Sequence, residues 1–492
     1  MSEHPEIAVA DRQGADPWKA DGQSGDRQPG EGRLIVISNR VQPPTAAKGG
    51  NQGGLAVALL AALRQKGGVW FGWSGETTQS FTGEVHRVEA DGVTTATIDL
   101  EEQDFDEYYN GYANRTLWPL FHDRIDLAEF ERDFDTGYRR VNALFADTVQ
   151  PMIGADDLVW VHDYHLIPLG RELRERGVAN RLGFFLHIPW PARRLLLSLP
   201  SHRKLVKSLF CYDVIGFHTQ DWLDSFHHYV VEQMGGSVGA DGSVTADGRT
   251  VRAIVAPIGI ETAEFEAAAT SPEARFAEER LYMSATGRAV IVGVDRLDYS
   301  KGLRERFLGY ERFLSRNPDL LGLVSMLQIA PPSREKVNTY QEIRADLEGL
   351  SGHINGEHAD IDWVPIRYVN RGYPRAELAG IFRASRVALV TPLRDGMNLV
   401  AKEYVAAQDP RDPGVLILSR FAGAAEQLRD AVLVNPYSAD ELADAIVTAL
   451  AMPREERVRR WQAMIANIRE QDVFWWCDQF LAALAQARVE AA

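Results

Sequence analysis

Cysteine is almost absent: Cys211 and Cys477 are the only two in 492 residues. Two thiols cannot form a disulfide framework, and their scarcity is typical of proteins from a reducing compartment. No apolar run approaches the roughly 20 residues that cross a bilayer, and the N-terminus lacks the regions of a signal peptide. We therefore expect a cytoplasmic protein that does not enter a membrane.

Positive charge is also in deficit, since 53 Lys and Arg face 69 Asp and Glu, for a net charge of -16. This balance argues against a nucleic-acid partner but leaves room for basic pockets that bind anionic metabolites. No Walker A pattern is present, and no G-x-G-x-x-G or G-x-S-x-G motif occurs at a strand-to-helix turn. ATPase, dehydrogenase and α/β-hydrolase functions therefore lose support.

The chain does contain two series of apolar strands separated by runs with helical spacing, and it is too long for one core. We predict strands at 34–38, 69–75, 157–161, 182–186 and 214–218, a surface hairpin at 235–250, and then strands at 289–294, 323–329, 361–364, 387–391, 415–418 and 431–434. Helices are predicted at 303–316 and 334–349. Alternating strands and helices predict an α/β protein of two doubly wound, Rossmann-like domains with a ligand cleft between them.

The stretch 387–408 contains a strand, the turn 392–398 and a helix. Backbone N–H groups at such a turn face an anion beyond the strand end. Gly396 permits a tight turn and Asn398 can cap the helix. Asp395 in the turn and Glu403 in the helix suit the sugar and ribose hydroxyls of a nucleotide-sugar. An ordinary turn with a capping Asp and a solvated Glu explains the same pattern.

Cations occupy two other predicted turns. Arg296 and Lys301 follow the strand 289–294, where they can neutralise a diphosphate, or they can be two solvated surface cations. Arg334 follows a further strand end and could face the same cleft. In the first half, Arg40 precedes the glycine pair that ends at Gly54, and this pair opens a helix. A glycine pair alone is a weak signal for an anion site.

Histidines and aromatic residues lie at other strand ends of the first half. His162 and His165 have no third ligand of suitable spacing, so we expect no metal site. His187 follows the strand 182–186 and is either a cleft residue or a buried core histidine. Residues 105–122 are dense in aromatic side chains, most of which we expect in the core, with a minority available to a sugar. A terminal helical run, 454–489, contains Phe474, Trp475 and Trp476 as an apolar anchor for either domain.

Nine motifs in a fixed order give the chain a family resemblance over about residues 33–485. They are SNR at 38–40, GGLA at 53–56, WFGWSGE at 70–76, EYYN at 107–110, LWP at 117–119, WVHDYHL at 160–166, FFLHIPWP at 184–191, VDRLDYSKG at 294–302 and LRDGMNLVAKEY at 393–404. The set resembles the trehalose-6-phosphate synthases, retaining glycosyltransferases of family 20 with the two-domain GT-B fold. Residues 1–32 are poor in apolar residues and are expected to be a disordered tail. The strand pattern begins again near residue 255, so we expect domains at 33–255 and 256–468. The resemblance implies in addition a helix at 469–492 that returns to the first domain.

The resemblance also implies the reaction: glucose passes with retention from a nucleotide-glucose to glucose 6-phosphate. UDP, ADP and GDP donors cannot be distinguished from the sequence. The donor-binding residues implied by the motifs are Gly54, His187, Arg296, Lys301, Asp395, Met397, Asn398, Leu399 and Glu403. Those implied for the acceptor are Arg40, Trp73, Tyr109, Trp118, Asp163 and Arg334.

In the mechanism implied by the family, the leaving diphosphate takes the acceptor proton. Arg296 and Lys301 stabilise its charge, and His187, Asp163 and Asp395 complete the catalytic set. No metal or other cofactor is expected, and a homo-oligomer, by resemblance a tetramer, is expected. Another GT-B glycosyltransferase, or a catalytically silent regulatory or scaffold protein of the same fold, is the alternative.

Overall fold

The first half of the chain is built on one ten-stranded sheet. The structure is a computed structural model that describes residues 32–41, 54–333 and 338–487. The strands of this half are β1 Leu34–Arg40, β2 Gly68–Thr78, β3 His86–Ala90, β4 Val93–Glu101, β5 Leu158–His162, β6 Leu182–Phe185, β7 Val214–Phe217, β8 Ser237–Val238, β9 Ser243–Ala246 and β10 Arg249–Val255. Their order is β3-β4-β2-β1-β5-β6-β7-β10-β9-β8, and only the pairs β3–β4, β9–β10 and β8–β9 are antiparallel.

Helices flank this sheet on both faces. They are α1 Gly54–Lys66, α2 Glu102–Asp104, α3 Trp118–Phe121, α4 Arg132–Val149, α5 Leu169–Glu175, α6 Arg193–Leu196, α7 His202–Leu209 and α8 Gln220–Met234. A π-helix at Phe105–Leu117 joins α2 to α3, and short 3₁₀ turns lie at Ile125–Leu127, Gln150–Met152 and Tyr164–Leu166.

The second half is built on a six-stranded sheet in which every pair is parallel, in the order β13-β12-β11-β14-β15-β16. Its elements are α9 Thr262–Ala268, α10 Pro272–Ala285, β11 Ala289–Val294, α11 Leu303–Arg316, β12 Val324–Ile329, α12 Asn338–His358, β13 Ile366–Val369, α13 Arg375–Ala384, β14 Val387–Val390, α14 Leu399–Ala407, β15 Val415–Ser419, β16 Val432–Val434, α15 Ala439–Ala451, α16 Arg454–Glu470 and α17 Val473–Gln486. Short 3₁₀ turns lie at Tyr299–Lys301, Pro318–Leu320 and Gly423–Glu426.

The central strands are uninterrupted apolar runs because helices cover both faces of each sheet, so the side chains on both faces of these strands are buried. All four residues of β14 are buried, as are the first six residues of β1. This arrangement confirms the prediction of two doubly wound α/β halves. The pairing of β8 with β9 likewise confirms the predicted hairpin.

The helix α17 returns to the first half of the chain. Its Phe480 ring stacks on Trp160 with centroids 4.6 Å apart, and its Asp478 lies 2.8 Å from Lys66. A Cβ atom at Gly183 would lie 2.6 Å from the Phe480 ring, so this glycine makes room for the helix. The predicted return of the terminal helix to the first domain is therefore confirmed.

Three details of the sequence prediction need correction or completion. The strand predicted at 361–364 is wrong: Ile361 is fully exposed, and the Trp363 indole anchors a turn by donating to the Val324 carbonyl (2.9 Å). The helical run 454–489 is two helices, separated where Asp472 caps α17 by accepting from the Trp475 N–H. The prediction also omitted β3 and β4.

Other predictions fall on residues that the structure does not describe. The expected tail lies outside the described residues except for its last position, and so does the start of the helix predicted at 334–349. Over the ranges that are described, no helix is long and apolar enough to span a bilayer.

Candidate active site

The turns that follow β11 and β14 meet through Lys301 and Asp395. The Lys301 Nζ atom lies 2.6 Å from Asp395 Oδ2, and both side chains are largely buried. Asp298 shapes the first turn by accepting from the Ser300 N–H (3.0 Å). Gly302 then has a φ of 62° and packs against the Thr391 carbonyl, which a Cβ atom would approach to 2.2 Å. This close approach brings the two turns together.

Arg306 connects the carboxyl ends of β11, β12 and β14 through buried contacts. The sequence analysis did not identify this residue. Its side chain is fully buried, pairs with Asp295 (2.7 Å), and donates to Gln328 Oε1 (2.9 Å) and Thr391 Oγ1 (2.9 Å). The available signal was a cation on the apolar face of α11, next to Phe307 and one turn from Leu303. A buried cation needs such a set of partners.

The turn before α14 has the capped geometry that the sequence predicts. Asn398 adopts a φ of 78°, its Oδ1 accepts from the Ala401 N–H (3.3 Å), and its Nδ2 donates to Asp395 Oδ2 (3.1 Å). Burial alone would raise the pKa of Asp395, but Lys301 and Asn398 outweigh it and leave this pKa below its usual value. Asp395 is therefore a fixed anion.

Met397, Leu399 and Glu403 complete this part of the site. Met397 is buried, and its carbonyl accepts from the Ala424 N–H (2.8 Å). Leu399 is the first residue of α14 and is half-buried. Glu403 lies one turn further along, and burial raises its pKa against the opposing charge of Arg375.

Arg296 and Trp118 bring the two halves of the chain together. Arg296 is exposed, and its Cζ atom lies 5.8 Å from the centre of the Trp118 ring. The Trp118 indole N–H also points to Asp298 Oδ1 (3.4 Å). A residue implied for the donor diphosphate thus lies beside a residue implied for the acceptor.

Aromatic rings connect the remaining acceptor candidates of the first half. The Trp73 and Tyr109 ring centroids are 5.5 Å apart, and Tyr109 stacks on His165 at 5.9 Å. Arg40 ends β1 and lies with its Cζ 5.8 Å from the Trp73 ring. Its guanidinium packs on Gly75, where a Cβ atom would approach it to 2.5 Å. These contacts place Arg40, Trp73 and Tyr109 in one cluster.

Asp163 and His187 lie at neighbouring strand ends, after β5 and β6. Asp163 has a φ of 75°, an unusual conformation for a non-glycine residue, and its Oδ1 accepts from the His187 N–H (3.2 Å). His162 Nδ1 lies 3.0 Å from His187 Nε2. Burial lowers the pKa of His187 to about 3, so its imidazole is neutral. His162 is thus a positioning partner of His187, whereas the sequence analysis favoured a polar group lining a cleft at the strand end over a metal ligand.

Gly396 and Arg394 hold the second half of the chain against the first. A Cβ atom at Gly396 would lie 2.0 Å from the His187 carbonyl oxygen, and Gly396 has no positive φ. The glycine is therefore required by close approach between the halves, not by the turn conformation that the sequence suggested. Arg394 reaches the first half at Asp123 (2.5 Å) and at the Trp190 carbonyl (3.1 Å).

The predicted site residues Arg334 and Gly54 cannot be placed in full. Arg334 lies outside the described residues. Gly54 is the first residue of α1, but Gly53, the other member of the glycine pair, lies outside the described residues. In the parts of the chain that the structure describes, no group of three or more His, Cys, Asp or Glu side chains could hold a metal ion.

Known proteins share this architecture and sequence. Residues 33–486 match the model of glycosyltransferase family 20. A trehalose-6-phosphate synthase of Sinorhizobium fredii is 47% identical over 451 residues, which cover 91% of this chain and 97% of that protein. The structure of a UDP-forming α,α-trehalose-phosphate synthase from Burkholderia xenovorans, in complex with glucose 6-phosphate, is 48% identical, with a TM-score of 0.89 and coverage of 92% and 100%.

A related structure from E. coli contains UDP-2-fluoro glucose. It is 47% identical, with a TM-score of 0.88, and the match covers 92% of this chain and 99% of that one. Both the sequence and the fold are therefore matched over nearly their whole length. This chain belongs to glycosyltransferase family 20.

Proposed function

We propose that this protein is a UDP-forming trehalose-6-phosphate synthase. It transfers glucose with retention from UDP-glucose to glucose 6-phosphate, and the products are α,α-trehalose 6-phosphate and UDP. Full-length similarity to enzymes of this name supports the activity, and the glucose 6-phosphate and UDP-2-fluoro glucose in two related structures support the two substrates. This support favours UDP among the three nucleotides that the sequence leaves open.

The observation that carries the proposal is the meeting of donor and acceptor candidates at the strand ends of the two halves. Arg296 lies over Trp118, and Lys301 is held by Asp395 a short distance along the same turn. Cations at this position can stabilise the charge that develops on a departing diphosphate. Arg40, with the aromatic rings of Trp73 and Tyr109 beside it, suits a phosphorylated sugar, because a guanidinium binds phosphate through forked donors.

In the proposed step, the bond between C1 of the donor glucose and the diphosphate oxygen breaks, and its electrons stay on the diphosphate. The C1 hydroxyl oxygen of glucose 6-phosphate attacks from the face that the diphosphate leaves, and its proton passes to the leaving oxygen. Arg296 and Lys301 stabilise the leaving group. Neutral His187 and ionised Asp395 orient the donor glucose, and Asp163 orients the acceptor hydroxyls.

The contacts between the halves support a closed site that excludes water. Gly396 packs on His187, and Arg394 bridges to Asp123, so the donor turn is held against the first half of the chain. Exclusion of water limits hydrolysis of the donor while the glucosyl centre is reactive.

Nucleoside diphosphate release tests the proposal. UDP-glucose, ADP-glucose and GDP-glucose are supplied in turn, each with and without glucose 6-phosphate. We expect release that requires glucose 6-phosphate and is fastest with UDP-glucose. Release without the acceptor would indicate a hydrolase or another acceptor, and no release with any donor would favour a silent scaffold.

The proposal includes three further properties. Transfer proceeds without a metal ion, so turnover should be unchanged after treatment with EDTA. The protein acts in the cytoplasm, as the scarcity of cysteine suggests. It forms a homo-oligomer, by resemblance a tetramer, whose mass multi-angle light scattering would measure; a monomeric mass would overturn this last property.

A further inference from the structure

A second cavity lies in the first half of the chain, away from the residues assigned to donor and acceptor. It has a volume of about 730 Å³ and is formed by the π-helix, the start of α4, the start of α7 and the turn between β9 and β10. This volume lies within the range of small-molecule sites. A narrow crevice that shares Tyr112, Ser201 and Lys204 with the cavity leads toward Tyr138 and Arg171.

The walls of the cavity and crevice are rich in positive charge, in contrast to the acidic chain as a whole. Among the described residues, three carboxylates line them, against six cations: Arg132, Arg139, Arg171, Arg203, Lys204 and Lys207. Asp135 pairs with Arg139 (2.5 Å), and Asp247 lies between Arg203 (3.6 Å) and Lys207 (3.4 Å).

Arg132 and Lys204 take no part in these ion pairs. Neither side chain has an ion-pair partner within the described part of the chain, and both are exposed. Phe130 also lines the cavity and is 38% exposed, so it offers an apolar face next to the cations. Unpaired cations beside an aromatic ring suit a ligand that has both a phosphate and a flat or cyclic body.

We propose that this cavity binds a small phosphorylated metabolite, of the size of a sugar phosphate, and that its occupancy is felt at the acceptor site. Arg132 and Lys204 bind the phosphate, and Phe130 covers the body of the ligand. The second part of this proposal rests on the proposed function, and the first does not.

A continuous set of contacts connects the cavity to the acceptor residues. Tyr112 lines the cavity and lies one turn from Tyr109 in the same π-helix. Its ring stacks on Tyr138 at 4.3 Å, and the Tyr138 hydroxyl donates to the Tyr164 carbonyl (2.6 Å). Tyr164 directly follows Asp163. A ligand that moves Tyr112 therefore acts on both Tyr109 and Asp163.

Isothermal titration calorimetry tests the site, with inorganic phosphate and ribose 5-phosphate as probes. UDP is present at saturation, and glucose 6-phosphate is left out because, as a sugar phosphate, it would compete with the probes for the cavity. We expect the unmodified protein to bind one equivalent of probe at the cavity, weakened at least about tenfold in the double variant Arg132→Ala, Lys204→Ala, whereas binding at the assigned acceptor site is the same in both. The control double variant Arg194→Ala, Arg275→Ala removes two other exposed cations and should bind as the unmodified protein does.

The site would be overturned if neither probe bound saturably to the unmodified protein. It would also be overturned if the Arg132→Ala, Lys204→Ala variant bound the probes as tightly as the unmodified protein does. The coupling is tested by the KM for glucose 6-phosphate, which we expect a bound probe to change in the unmodified protein and not in that variant. Binding with an unchanged KM would confirm the site and overturn the coupling. Because the calorimetric result needs no turnover, failure of the proposed transferase activity would be recognised separately.

Discussion

Lys301 and Asp395 form a largely buried ion pair, 2.6 Å from Nζ to Oδ2, between turns that are 94 residues apart in the sequence. The cation that we propose for the donor diphosphate is therefore already balanced before any donor binds. Removal of one partner from a buried pair leaves the other charge uncompensated, which is more damaging than loss of the pair as a whole. Asp395 thus holds Lys301 in position and balances its charge until the diphosphate arrives.

Lys301→Ala should lower kcat by about two to three orders of magnitude, the usual effect of losing one group that stabilises a developing anion. Initial rates at saturating UDP-glucose and glucose 6-phosphate measure this change. Arg304→Ala is the matched control, because Arg304 forms an exposed pair with Asp346 nearby. A Lys301→Ala enzyme with kcat within twofold of the control would contradict the assigned role.

Gly396→Ala should prevent the close approach of the two halves. The added Cβ would lie 2.0 Å from the His187 carbonyl oxygen, so the donor turn must move away from His187. We expect a fall of at least about tenfold in kcat/KM, since small displacements of positioning groups are costly to rate.

The control for this substitution is Gly352→Ala, at a position in α12 where a Cβ atom meets nothing within 4 Å. Alanine is favoured over glycine in a helix interior by about 1 kcal/mol, so this variant should keep its activity and gain some thermal stability. Equal activity in the two variants would show that contact between Gly396 and His187 is not required.

Local patterns predicted much of the fold and part of the site. Uninterrupted apolar runs identified β1 and β14, and the capped turn after β14 could be predicted from Asn398. The strand predicted at 361–364 is wrong because an apolar tryptophan can anchor a turn as well as a strand: Trp363 is held by the Val324 carbonyl and Ser325 Oγ.

Contacts between distant parts of the chain could not be predicted from local pattern. Arg306 resembles any helical arginine until β12 and β14 bring Gln328 and Thr391 to it. Glycine is needed at position 396 because its backbone packs against the carbonyl of His187, which lies more than two hundred residues earlier in the chain. The donor and acceptor roles came from the family resemblance, whereas the meeting of Arg296 and Trp118 is visible only in the folded chain.

Arg394→Ala should loosen the contact between the two halves. Arg394 forms a pair with Asp123, donates to the Trp190 carbonyl and lies over the Trp222 ring at 4.5 Å. Because the Asp123 side chain is 35% exposed, loss of this pair together with the hydrogen bond to Trp190 costs on the order of 1 kcal/mol, so closure should become less favourable. We expect a larger radius of gyration by small-angle X-ray scattering and a higher KM for the donor.

Arg386→Ala is the corresponding control, because Arg386 pairs with Asp412 at the surface of the second half alone. It should leave both the scattering curve and the KM unchanged. If Arg394→Ala matched this control in both measurements, the pair with Asp123 would not contribute to closure.

Lys402 makes stability depend on pH. It is fully buried, donates to the Ile258 carbonyl (2.6 Å) and Gln427 Oε1 (2.7 Å), and has no carboxylate partner within the described residues. Burial lowers its pKa to about 7, whereas an unfolded lysine has a pKa of about 10.4. Between these values the unfolded chain binds more protons than the folded one, so this group increases the free energy of unfolding as pH rises, by at most about 1.4 kcal/mol per pH unit.

Lys402→Met should remove this dependence. Urea unfolding is measured at pH 7, 8 and 9, which cover about the lower half of the interval between the folded and unfolded pKa values of Lys402. The free energy of unfolding of the unmodified protein should increase relative to that of Lys402→Met as pH rises. Lys66→Met serves as control: Lys66 is partly exposed and its hydrogen bond to Asp478 raises its pKa, so it stays charged throughout. A constant difference between the unmodified protein and Lys402→Met would mean that Lys402 folds with its proton in place, held by Ile258 and Gln427.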